Sequence, residues 1–161
     1  MGKKKRHSAE EPGVRLLCRN RRARFDYELV ERVEAGLVLQ GSEVKSLRQG
    51  KAGLAEAYAV IDEHDEAWLV NANIPEYAWA HRENHAPKRS RKLLLHAGEL
   101  RRLGIKVRER GFTLVPLRMY FRGAHVKVEV ALARGKKTHD KRETIKQRDQ
   151  DRDVRRELRG R

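Results

Sequence analysis

The sequence predicts a mainly β fold: an OB-type antiparallel β-barrel with a few helices and a charged C-terminal tail disordered in solution. Three observations predict it. Apolar residues alternate strictly with polar ones from Phe25 onward. Two pairs of β-rich runs are joined by short polar turns. Residues 136–161 hold only three aliphatic side chains, Ile145, Val154 and Leu158, among many charges.

Residues 1–18 lack periodicity and contain Pro12 and Gly13, so they read as a disordered basic arm. Phe25, Tyr27, Leu29, Val33, Ala35, Leu37 and Leu39 then fall on odd positions, with Asp26, Glu28, Arg32 and Glu34 between them. A period of two places alternate side chains on opposite faces of a strand. Fifteen residues exceed the usual strand length, so a bulge is expected to divide it. Gly41 ends it, and Ser42 is placed to cap a short helix from Glu43 to Gln49, stopped by Gly50 and Gly53.

Tyr58–Ile61 and Ala67–Ile74 read as a hairpin turning through residues 62–66, with Pro75 after it. Residues 76–92 read as a long functional loop. A helix is expected over His96–Arg110, with Leu100, Leu103 and Val107 as its apolar stripe and Gly111 as its stop. Phe112–Phe121 and His125–Arg134 form a second hairpin around Arg122-Gly123-Ala124, with Pro116 suited to an edge or bulge. Five or six strands with one inserted helix fit an OB-type barrel, a fold often used for nucleic acids. The expected units are the arm 1–18, the barrel 19–135 and the tail 136–161. Too little apolar area lies in the tail to offset ordering, at roughly 1–2 kcal/mol per residue. Its pairs Arg142/Lys146, Arg148/Arg152 and Asp149/Asp153 repel at helical spacing, so RNA is expected to fix it as a helix.

Charge points to the partner. The formal net charge is +15, and it is segmental. Residues 25–87 carry five basic and twelve acidic side chains, whereas residues 88–135 carry thirteen and three. One face and two tails are therefore matched to a polyanion, since cations gain from neutralising phosphate and releasing counterions. No apolar run approaches the roughly 20 residues of a membrane span, and the basic start lacks the apolar stretch of a secretory signal. Cys18 is the only cysteine, which excludes an internal disulfide and suits a reducing, cytoplasmic setting.

Enzyme signals are weak. His81 and His85 are four apart, as in helical zinc sites, but Trp79, Asn84 and Pro87 favour a loop. Nothing sets one histidine against another for acid–base cleavage of RNA. The arginines around Cys18 would lower its pKa, yet no base stands near it. No catalytic residue, metal or cofactor is expected.

Binding signals are stronger. Asn20, Arg21, Arg22 and Arg24 precede the first strand; guanidinium forks match phosphate geometry, and the asparagine either reads a base edge or turns the chain. Phe25 and Tyr27 suit base stacking but lie on the apolar register of the core. Lys88, Arg89, Arg91 and Lys92 put a cationic loop beside Leu93-Leu94-Leu95. Lys127 projects opposite Val126 and Val128. These features alone fit equally a ribosomal or ribosome-assembly protein.

Three long stretches narrow this. Asn20 to Leu54 (NRRARFDYELVERVEAGLVLQGSEVKSLRQGKAGL), Arg89 to His96 (RSRKLLLH) and Ala133 to Arg148 (ARGKKTHDKRETIKQR) resemble the bacterial tmRNA-binding family SmpB, in the same order. The resemblance implies an OB-type barrel that binds the tRNA-like domain of tmRNA and brings it to stalled ribosomes for trans-translation. It implies delivery with elongation factor Tu, a monomer, and no catalysis. By matching position it assigns Asn20, Arg21, Glu34, Leu94 and Lys127 to the tmRNA surface. It assigns Gly135, Lys136, Lys137, His139, Asp140, Lys141 and Arg142 to a decoding-centre segment on the small subunit and its rRNA. Ile145, Lys146 and Arg148 match a helical segment in the empty mRNA channel. Arg22, Arg24, Arg91 and Lys92 join the tmRNA surface on charge. Glu34 is anomalous there, because a carboxylate repels phosphate; orienting an arginine or accepting from a base or ribose would each explain it.

Overall fold

A computed structural model describes residues 11–109 and 111–158. Six strands close into a ring, and a seventh fills a gap in it. In chain order the elements are β1 (Val14–Arg19), α1 (Ala23–Asp26), β2 (Tyr27–Leu37), α2 (Gly41–Arg48), β3 (Tyr58–Ile61) and β4 (Ala67–Val70). They continue with β5 (Arg91–Leu94), α3 (Ala97–Arg108), β6 (Phe112–Arg122), β7 (His125–Gly135) and α4 (Thr138–Glu157). The ring runs β6-β3-β4-β5-β2-β7 and closes where β7 pairs back to β6. β1 and β3 share one edge of β6: β3 pairs at Leu114, and β1 takes Arg118–Arg122. The mainly antiparallel OB-type barrel read from the sequence is present.

The expected bulge divides β2 between Leu29 and Glu31, and Pro116 sits at a second bulge in β6 rather than on a free edge. Proline fits there because a bulge needs no ladder N–H. Val33 and Ala35 point inward with Leu69, Leu93, Leu114, Met119, Val128 and Leu132, while Glu34 points out. α2 and α3 each add a leucine to this core, Leu47 and Leu103. A satellite cluster of Ala23, Val115 and Ala133 seats α1 on the outside of the barrel.

Several elements differ from the sequence reading. β1 lies within the stretch read as an arm; residues 1–10 lie outside the described residues. Its register shifts between Leu16 and Cys18, which scrambles its period-two pattern. β2 starts at Tyr27, because Phe25 and Asp26 belong to the turn of α1. The cap of α2 is Gln40, whose N–H donates to the Glu43 carboxylate at 2.8 Å; Ser42 instead bonds His85. β4 stops at Val70, since Asn71 takes φ +62°, and Asn73 re-pairs with Gly53. In the β3–β4 turn one Asp62 oxygen accepts the N–H groups of His64 and Glu66, at 3.0 and 2.8 Å.

The tail forms α4. Its N-terminus is capped by Asp140, which accepts from the Lys137 N–H at 3.2 Å. The Arg152–Asp149 and Arg156–Asp153 pairs at i,i+3 offset the repulsive i,i+4 pairs. Its hold on the barrel runs through Lys136, Lys141 and Arg148.

Candidate RNA interface

The outer face of β5, β2, β7 and β6 brings together Glu34, Leu94 and Lys127 of the sequence reading. Gly36 is paired with both Leu94 and Lys127, and Lys127 with Tyr120, so these four lie in one row across the strands. Leu94 is 53% exposed there. A Cβ on Gly36 would stand 3.2 Å from that of Leu94, so glycine keeps the row flat. The next row holds Glu34, Glu129 and Arg118.

Glu34 accepts a hydrogen bond from the Tyr120 hydroxyl and pairs with Arg122 Nη2 at 3.0 Å. The guanidinium groups of Arg118 and Arg122 sit 4.8 and 5.9 Å from the Tyr120 ring centroid. Burial, then the neighbouring Glu34 carboxylate, pushes the Tyr120 hydroxyl up to about 12, so it stays a donor.

Beside this row lies a cleft of about 520 Å³, lined by Arg19, Asn20, Arg21, Arg24, Arg32, Leu117, Arg118 and Glu129. Five guanidinium groups face it against a single carboxylate. Glu129 pairs with Arg118 and, at 3.6 Å, with Arg32. Asn20 is the residue that turns the chain. Its Nδ2 donates to the Pro116 carbonyl at 3.2 Å, and its Oδ1 accepts from the Arg22 N–H at 3.2 Å. It fixes Arg21 and Arg24 at the rim, while Arg22 points to solvent and pairs with Asp26 at 3.7 Å.

The cationic loop is rebuilt by the structure. Arg91 is fully buried and is a strut, not an RNA contact. Its Nε donates to Glu43 at 2.7 Å, and its other nitrogens donate to the carbonyls of Ala72, Arg89 and Pro87. Arg89 meets the same carboxylate at 2.5 and 2.7 Å. Lys88 pairs with Glu56 at 3.2 Å, and Lys92 with Glu66. Sequence reasoning missed this because the partner carboxylates lie 26 to 48 positions away.

At the other end of the cleft the tail leaves the barrel. After Gly135 the Lys136 N–H donates to the Asp26 carbonyl at 3.0 Å, and Lys136 Nζ to that of Arg24 at 2.9 Å. Lys141 pairs with the Asp26 carboxylate at 3.6 Å, and the Arg148 guanidinium lies 5.5 Å from the Phe25 ring centroid. Phe25 therefore lies half-buried outside both apolar clusters, where it holds Arg148. Lys137, His139, Arg142, Ile145 and Lys146 remain exposed, and His139 stands 3.7 Å from Glu143.

The weak chemical candidates resolve into structural roles. His85 is buried, with Nδ1 on Ser42 Oγ and Nε2 on the Ile74 carbonyl, both at 2.9 Å. A carbonyl only accepts, so Nε2 carries the proton, and neither nitrogen is left for a metal. Cys18 is corrected in sign: burial pushes its thiol up to about 11. Thiol reagents at neutral pH are expected to label Cys18 slowly in the native protein and quickly in urea, a contrast that mass spectrometry reads directly.

The residues of this face that the sequence reading did not single out are Arg19, Arg32, Arg118, Tyr120, Arg122 and Glu129. One signal was available. Arg118, Tyr120 and Arg122 recur at intervals of two on one strand, opposite the inward Met119 and Phe121.

The family model described as SmpB protein matches residues 17–160. An SsrA-binding protein of Myxococcus xanthus is 52% identical over 160 residues, covering 99% of this chain and 98% of the relative. One from Sphingomonas elodea is 57% identical over 149 residues, covering 92% of each. A solved chain described as "tmRNA-SmpB: a journey to the center of the bacterial ribosome" shares 50% identity. It has a TM-score of 0.63 over 75% of this chain and 85% of that one. With an SmpB match over nearly its whole length and a barrel that gathers the residues behind the resemblance, the chain belongs to the SmpB family.

Proposed function

We propose that this protein binds the tRNA-like domain of tmRNA on the outer barrel face and brings it to stalled ribosomes for trans-translation. The observation that carries this is the arginine cleft, five guanidinium groups around one carboxylate, continuous with the Leu94–Lys127–Tyr120 row. Guanidinium forks bind phosphate bidentately, and a cleft lined mainly by arginines favours RNA over a neutral ligand. Residues 11–135 act as the RNA-binding unit. The tail from Lys136 enters the vacant mRNA channel and decoding centre, where phosphate lines its cationic helix. The protein works as a cytoplasmic monomer with elongation factor Tu in the delivery complex, and it catalyses nothing.

Sequencing the RNA that co-purifies with the protein tests the reading: tmRNA should dominate, and a ribosomal RNA majority would overturn it. Lys127→Ala is expected to weaken tmRNA binding and reduce its salt slope by about one phosphate contact. An unchanged slope in a filter-binding salt series would place Lys127 off the RNA.

A further inference from the structure

Glu34 is the anomaly of the interface. Its carboxylate stands in the middle of a surface built for phosphate, 35% exposed at the side chain. Two contacts and its place in β2 account for it. The Tyr120 hydroxyl, itself buried, donates to one of its oxygens. The same oxygen, Oε2, pairs with Arg122 Nη2 at 3.0 Å. Glu34 lies mid-strand on β2, so its backbone cannot move away. The result is a fixed carboxylate that holds one end of a half-exposed guanidinium.

A second carboxylate reaches that guanidinium. Glu11, ahead of β1, places Oε2 3.1 Å from the same Nη2. The two carboxylates differ in how they are held. Glu34 is locked by the Tyr120 hydroxyl and the β2–β7 ladder. Glu11 is exposed, and its backbone carbonyl accepts from the Val14 N–H at 3.0 Å. A carboxylate and a phosphate present the same pair of anionic oxygens to an arginine fork.

We infer that Glu34, locked by Tyr120, is a positioning residue that aims Arg122 at an RNA phosphate, and that Glu11 occupies the phosphate's place until RNA displaces it. Arg122 then contacts the RNA, while Glu34 acts only through it. This rests on the reading that this face binds tmRNA. It has a sign that simple charge counting lacks. By charge alone, removing either carboxylate tightens binding to a polyanion. With Glu34 as positioner and Glu11 as stand-in, the two removals act in opposite directions.

The test uses the full-length protein and a fluorescent RNA copy of the tRNA-like domain, titrated over a salt series. Glu11→Gln should tighten binding about two- to threefold, Glu34→Gln should weaken it about tenfold, and Arg122→Ala should weaken it about tenfold with a salt slope smaller by about one. Adding Glu34→Gln to Arg122→Ala should change nothing further, because the carboxylate has lost the group it aims. Tyr120→Phe removes the same lock from the other side. It should weaken binding about threefold, and not add to Glu34→Gln. Thermal melts check that each variant folds, and Tyr120→Phe keeps the test open if Glu34→Gln does not. Tighter binding by Glu34→Gln, a Glu34 effect that survives in Arg122→Ala, or weaker binding by Glu11→Gln would each overturn the inference. Wild-type protein with no salt-sensitive affinity for this RNA would overturn the functional reading instead.

Discussion

Glu43→Gln is expected to destabilise the barrel by about 3–5 kcal/mol, the usual cost of stranding a buried charge. Glu43 and Arg91 are both fully buried, and Arg89 closes the triad from the rim. Without the carboxylate, the Arg91 guanidinium keeps its charge in a dry site, because it does not deprotonate. A loss of that size is a large share of the roughly 5–15 kcal/mol that holds a domain together. Urea unfolding measures it; a shift below about 1 kcal/mol would mean that water reaches the triad.

Adding Arg91→Met to Glu43→Gln should recover part of the loss and no more. Removing both charges ends the stranding, but the carbonyls of Ala72, Arg89 and Pro87 then lose their donors. The same site predicts a pH dependence. Burial alone would raise the Glu43 carboxyl, but Arg89, the Gln40 N–H and Arg91 outweigh it and hold it below the ordinary carboxylate range. The native state thus binds this proton less readily than the unfolded chain does. Its stabilising contribution is full above the unfolded-state value and is lost as pH falls through the depressed native value. Glu43→Gln should remove that part of the acid slope.

The second large effect concerns the tail. Deleting residues 136–161 is expected to leave affinity for the tRNA-like domain within about threefold, because the arginine cleft and the Lys127 row, which we propose make the phosphate contacts, lie on the barrel. Peptide tagging on a message lacking a stop codon should fall to background in a reconstituted translation system. The small loss of affinity comes from α1: Lys136 and Lys141 brace Asp26 and the carbonyl of Arg24, and Arg24 lines the cleft. An affinity loss of several hundredfold would make the tail part of the tmRNA site itself.

Residues that repeat at a strict period were legible in the sequence. β2, the β3–β4 hairpin, α3 and the β6–β7 hairpin follow from alternation, turn chemistry and one apolar stripe, and the strands lie within a few residues of where that pattern put them. β1 was not legible, because its bulge places two leucines side by side and pairing to β6 supplies its stability. Resemblance pointed to Glu34, Leu94 and Lys127 by position, but not to what surrounds Glu34, since Tyr120 and Arg122 come from a strand 86 or more positions away. Arg91 shows the limit of counting charge. With Arg89 and Lys92 close by in sequence it looks like surface, and only the fold brings Glu43 and three carbonyls around it.

The join after Lys136 has a mechanical consequence. α4 is 20 residues long, so it extends about 30 Å from its start. A swing of only about 10° there displaces the far tip by about 5 Å, a full helical turn. Small torsions at the root are thereby amplified into large excursions at the end, and the clasp of Arg148 on the Phe25 ring, halfway along, sets how freely that lever travels.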